Sequence, residues 1–161
     1  MTSKLLKCVS ALGLLLVLTW GAAAAPGDLA RVKQEEEARV KMVEQLSKTV
    51  VAVFRVKTDG DRTPTGGGSG VIIGTDGTAL TNYHVVETSK KVMVGTSDGV
   101  LHEADVVGTD PTGDIAVIRI KDGGPFEAAS LGDSDQLEAG QWVLAMGNPF
   151  LLATDFAPTV S

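Results

Sequence analysis

Only two histidines occur in the 161 residues, His84 and His102, so a side chain that must take and return a proton near neutral pH has two candidates. His84 lies in Thr81-Asn82-Tyr83-His84-Val85-Val86, directly after a stretch that reads as a strand. Asp114 opens the run Asp-Ile-Ala-Val-Ile-Arg-Ile, after the turn Gly108 to Gly113. A carboxylate at a strand mouth, ahead of buried apolar residues, is half-buried and needs a partner. A histidine oriented by such a carboxylate can relay the proton in serine hydrolysis. The ring takes the hydroxyl proton and returns it to the leaving amine, while the carboxylate holds the tautomer and stabilises the imidazolium. His84 and Asp114 are therefore the candidate catalytic residues, expected to meet in the fold. His102 sits in the alternating stretch Val100 to Val107 and shares a parity with Ala104 and Val106. Nothing near it completes a site, so it is expected at the surface or rim of a sheet.

No serine has the surroundings of a nucleophile. Ser69, in Gly67-Gly68-Ser69-Gly70, looks superficially like one, but no proline follows, and close backbone packing explains the glycines better. The same loop fails as a phosphate cradle, because no Gly-Lys-Ser/Thr follows and no G-x-G-x-x-G is completed. Ser89, Ser97, Ser130 and Ser134 lie in turn-like contexts and Ser161 is terminal. No cofactor and no metal site is expected. The single cysteine, Cys8, falls in an N-terminal leader, which excludes disulfides, zinc–thiolate sites and cysteine nucleophiles from the mature chain.

That leader, residues 1–25, reads as a signal peptide. Lys4 and Lys7 supply positive charge, Val9 to Thr19 an apolar run, and Ala22 to Ala25 the small residues of a cleavage site near Ala25. The run is shorter than the ~20 residues that span a bilayer. Export without cysteines suits a bacterial envelope, periplasmic or secreted, with no stable membrane anchor after cleavage. The net charge is −6 and no basic patch interleaves with aromatics, which argues against nucleic acid.

Residues 26–48 form a second region. Leu29 to Lys48 reads as a helix, with Val40, Val43, Leu46 and Val50 on one apolar stripe and Glu35-Glu36-Glu37 on a solvated face. From residue 49 to 150 the period becomes that of strands. These are expected at Val50 to Lys57, Val71 to Ile73, Thr78 to Thr81, Lys91 to Val94, Val100 to Val107, Asp114 to Ile120 and Gln141 to Met146. Turn clusters lie at Thr58 to Pro64, Thr75-Asp76-Gly77, Ser97-Asp98-Gly99 and Asp110 to Gly113, and Gly66 to Gly70 reads as a glycine-rich loop. The fold class is all-β, a closed or nearly closed barrel.

Four segments together resemble the HtrA/DegP branch of the trypsin-like serine proteases. They are Gly68-Ser69-Gly70-Val71-Ile72-Ile73, Thr81 to Val86, Gly108 to Ile118, and Leu131-Gly132-Asp133-Ser134 with Gly140 to Phe150. They follow the branch's order and near its spacing. The resemblance implies the first, six-stranded barrel of a two-barrel fold, with His84 as general base and Asp114 as its orienting acid. It implies polypeptide substrates and, in the full-length protein, a homo-trimer. It places the nucleophile in a G-N-S-G-G-P loop of the second barrel, beyond Ser161, so the chain as given is expected to hold no nucleophile. Residues 151–161 would begin the inter-barrel segment, and Leu151 to Thr154 departs from the glycine that many relatives carry after Phe150. The competing reading is a non-catalytic, protease-like binding module. A barrel without its partner would also expose apolar surface and open strand edges, favouring association.

Overall fold

The computed structural model describes residues 26–56, 64–87, 89–148 and 156–161. The expected leader, most of the turn after the first strand, and the departure at Leu151 to Thr154 lie outside the described residues.

Six strands close into one antiparallel barrel. They are β1 (Val50–Val56), β2 (Pro64–Ile72), β3 (Thr78–Thr81), β4 (Lys91–Gly95), β5 (Leu101–Asp110) and β6 (Ile115–Ile120), in ring order β1-β2-β3-β6-β5-β4. Alternation fills the ring: Val51, Val53, Ile72, Ala79, Val92, Val94, Ala104, Ala116, Ile118 and Ile120 point inward and are buried. Closure leaves these six strands without an open edge, against the expectation of open strand edges. The expected exposed apolar surface is present instead over Leu131, Leu137, Trp142 and Val143, outside the barrel.

The glycine-rich segment, which reads as a loop by composition, is a strand beside β3, as the family resemblance implies. β2 runs through Gly66 to Gly70 and pairs with β1 from Val50↔Val71 to Val56↔Pro64. Its glycines are there because neighbours press on it. A Cβ at Gly70 would lie 2.9 Å from the Leu80 carbonyl oxygen, and one at Gly68 2.5 Å from Val85 Cγ2.

His102 is buried, not at the rim. The shared parity with Ala104 holds, but closure turns that face inward. The imidazole meets the Phe126 ring edge-on at 5.7 Å and its Nε2 lies 3.3 Å from Thr96 Oγ1. The expected strand over Gln141 to Met146 is also shorter than its sequence suggests. Only β7 (Met146–Gly147) pairs, with β8 (Thr159–Val160), and Ala145 and Ser161 exchange two backbone bonds of 2.9 Å. Gln141 to Leu144 finds no neighbouring strand among the described residues, so its apolar side chains do not pack as a strand.

Helix α1 (Pro26–Ser47) precedes the barrel. Val40 and Leu46 stay exposed, so the apolar stripe does not seat on the described barrel, whereas Val50 joins β1 and is buried. The helix ties on by other means. Lys48 Nζ reaches Glu127 at 2.8 Å, and the Arg39 guanidinium stacks 5.6 Å over the Trp142 ring. No helix among the described residues is long and apolar enough to cross a membrane.

Outside the barrel, Glu103 accepts from Lys91 at 2.8 Å and from Lys121 at 3.0 Å, and Lys121 also reaches Asp105 at 3.0 Å. The two ammonium donors pull the Glu103 carboxyl from 4.5 to about 2. A depressed carboxylate stabilises the fold above its unfolded value and loses that contribution as pH falls through its folded value. Glu103→Gln is therefore expected to lower the denaturation midpoint at pH 7. The gap to the parent should close as pH falls from 4.5 towards 2, read by urea titrations across that range.

Candidate active site

Strands β3 and β6 are neighbours in the ring although the chain between them travels through β4 and β5. Their register sets Thr81 against Ala116, so the residues after β3 meet the residues before β6. The ladder continues past the last paired residue, where the Tyr83 backbone N–H donates to the Asp114 carbonyl at 3.2 Å. His84 stands on the single-turn helix α2 (Tyr83–Val86), immediately beyond β3. Val85 and Val86 on that turn are buried in the barrel core, which directs His84 outward. Gly68 of β2 makes room for Val85 beneath it.

The structure brings both predicted residues together. One oxygen of Asp114 accepts the His84 backbone N–H at 2.9 Å, and the other lies 2.8 Å from His84 Nδ1. An ionised carboxylate only accepts, so Nδ1 carries the proton and Nε2 of the neutral ring keeps its lone pair. Among the described residues Nε2 has no hydrogen-bond partner, and the ring is largely exposed. The His84 backbone and ring bonds hold the Asp114 carboxyl below the ordinary carboxylate range, with Asn82 adding a smaller share. The grip is thus complete above the ordinary range and is lost as pH falls through the lowered value.

Asp114 does not begin β6, as the sequence suggests, but sits in the turn before it at φ 52°. Left-handed backbone is tolerated by aspartate and asparagine better than by bulkier residues. The conformation turns the carboxylate back over α2 instead of along the strand.

Asn82 is a member of the site that its motif context did not reveal. It occupies the position before α2 with extended backbone, where asparagine ordinarily accepts a backbone amide of the first turn. Here its side-chain nitrogen donates instead to the Asp114 carbonyl at 3.1 Å and to Asp114 Oδ2 at 3.2 Å. The signal available in the sequence was a capping residue ahead of a helix too short to stand alone.

Ser69 has a structural role. Its hydroxyl accepts the Asn148 backbone N–H at 2.7 Å and its carbonyl accepts Thr81 Oγ1 at 2.8 Å, so it fastens the Met146–Asn148 stretch to the barrel. His102 lies in the first half of β5, whereas Asp114 lies past that strand's other end, so the two histidines serve different ends of the barrel.

The trypsin-like peptidase domain model matches residues 68–159. A protein of Pseudomonas putida named "Probable periplasmic serine endoprotease DegP-like" is 47% identical over 83 residues, 52% of this chain and 17% of the relative. One of the same name from Chlamydia trachomatis is 46% identical over 84 residues, 52% of this chain and 16% of the relative. "Serine protease HTRA1" of Xenopus laevis is 39% identical over 114 residues, 69% of this chain and 25% of that protein. The matched region thus spans between a sixth and a quarter of these relatives' length. A closed antiparallel barrel, a matching domain model over more than half the chain and ordered similarity to DegP-like and HTRA1 proteins agree. The chain belongs to the trypsin-like serine protease family, in its HtrA/DegP branch.

Proposed function

We propose that His84 and Asp114 are the general base and the orienting acid of a serine endopeptidase that cleaves unfolded or exported polypeptides. The observation that carries this reading is the double contact of Asp114 on His84, one oxygen on the backbone N–H and one on the ring. A merely structural histidine needs one partner. A carboxylate that fixes both ring and backbone sets the ring's tautomer and its direction, and a general base needs both. The reaction is acyl transfer. A serine hydroxyl gives its proton to His84 Nε2 and attacks the peptide carbonyl, and the imidazolium, stabilised by Asp114, returns the proton to the leaving amine. The relatives' printed names support an exported, periplasmic setting, and the leader at residues 1–25 fits it. In this reading residues 26–48 are a helical approach, 49–150 the base-bearing barrel, and 151–161 the start of the next segment.

None of the described serines is bonded to His84, and Ser69 is committed to the Asn148 backbone. The nucleophile and the oxyanion donors are then supplied by sequence outside these 161 residues. Residues 26–161 alone are expected to hydrolyse no peptide, since removing a triad nucleophile costs about 10⁶ in turnover. Purified fragment treated with a fluorophosphonate probe should remain unlabelled in intact-mass spectra; stoichiometric labelling would overturn the assignment.

A further inference from the structure

We propose that Arg55 and Glu87 form a clasp that positions the His84 turn, and that Arg55 is a positioning residue of the site; this rests on the base-and-acid reading of His84 and Asp114. α2 has four residues, far too few to hold a helical shape by its own hydrogen bonds. Its front is fixed by Asp114 and its middle by the burial of Val85 and Val86. Its rear end is Glu87, which stands at φ 45°, a backbone conformation that side chains other than glycine and asparagine seldom adopt. The Glu87 N–H closes the turn on the Tyr83 carbonyl at 2.6 Å. Something outside the turn must keep Glu87 there, and the contact available is the ion pair between Arg55 Nη1 and Glu87 Oε2.

The barrel is shaped to deliver that guanidinium. Arg55 is near the end of β1, where the register against β2 shifts between Arg55 and Val56. Such irregularities re-aim a side chain. Arg55 pairs across to Gly66, and a Cβ there would lie 2.5 Å from Arg55 Nη2, so the guanidinium passes over the bare glycine. The side chain is 22% exposed and its Nε is buried with no hydrogen-bond partner among the described residues. Burying an unsatisfied donor is unfavourable, so this arginine is not explained as a stabiliser of the barrel. It is explained if its task is directional: to hold the last residue of the turn that carries the imidazole. Without the clasp, Glu87 relaxes to negative φ, the turn unwinds from its rear, and His84 Nδ1 swings off Asp114.

The test uses proton NMR of the 161-residue chain, following the downfield Nδ1–H resonance of His84 and its exchange with water. Arg55→Gln and the exposed-site variant Glu87→Gln are each expected to speed that exchange about 1.5-fold to fivefold, the range of an exposed ion pair. Arg55→Lys should restore most of the protection, because it keeps the charge. Amide protection in β6 should stay unchanged in all three. Unaltered Nδ1–H exchange in both Gln variants overturns the clasp. So does faster exchange accompanied by equal loosening of the β6 amides, or a failure of Arg55→Lys to rescue. A parent chain with no such resonance overturns the base-and-acid reading itself, and the clasp with it.

Discussion

Asp114→Asn is expected to cut kcat/KM about 10⁴-fold in a protein that carries this sequence together with its nucleophilic serine. The carboxylate accepts two hydrogen bonds from His84, one from the backbone N–H and one from Nδ1–H. An asparagine can present its carbonyl to only one of them. With its amide towards the ring it donates to Nδ1, which moves the ring proton to Nε2 and removes the lone pair that must take the serine proton. The substitution suits the test because asparagine also accepts left-handed backbone, so the φ 52° turn should survive and the loss reports chemistry rather than folding. Steady-state hydrolysis of a chromogenic peptide measures the effect. Nitrogen-15 correlation spectra of the ring read the tautomer independently. A fall of less than tenfold with the tautomer unchanged would remove Asp114 from the mechanism.

Ile118→Ala is expected to destabilise the barrel by about 2–5 kcal/mol, the usual range for emptying a full aliphatic site. Ile118 is fully buried at the centre of β6 and pairs with Ala79 on one side and Val106 on the other. The core residues beside it, Ala79 on β3, Ala104 on β5 and Ala116 on its own strand, are already small, so they cannot expand into the space. β6 is also the strand whose entry carries Asp114, so a loosened β6 lowers the occupancy of the His84–Asp114 contact along with global stability. Urea unfolding followed by far-ultraviolet circular dichroism gives the stability change. A loss below about 1 kcal/mol would show that the core refills from elsewhere.

How far the sequence discloses this molecule depends on how local each cause is. The apolar alternation of Val92, Val94, Ala104, Ala116, Ile118 and Ile120 is a local signal, and it yields both the all-β class and the inward face. The segments around His84 and Asp114 are legible for the same reason, since a histidine after one strand and an aspartate before another are local arrangements. The errors arise where the cause is a neighbour distant in sequence. Gly66 to Gly70 looks like a loop because the side chains that require bare glycines, Arg55 and Val85, belong to other elements. His102 looks like a rim residue because parity fixes which face it shares but not whether a ring will close over that face. Gln141 to Ala145 has strand composition, yet strand formation needs a partner strand as well as apolar residues. The role of Asn82 is hidden because asparagine before a helix has an ordinary local use, and only the arrival of Asp114 from the far side of the barrel gives it another.

Because β3 and β6 are adjacent, the chain leaves the site after His84, runs down β4, reverses over Ser97 to Gly99, and returns up β5 to Asp114. The reversal lies at the far end of β5, nine residue steps from Asp110 and so at most about 30 Å along the strand. A Cβ placed on Gly99 would meet nothing within 4 Å. Sequence length between His84 and Asp114 is therefore decoupled from the distance between them. Natural insertions, or a peptide tag inserted at Gly99, lengthen a detour without stretching the site. The freedom is confined to the reversal, since β4 and β5 are held in register by their neighbours, whereas one residue added between Thr81 and His84, or between Asp114 and Ala116, shifts the contact by a full strand step.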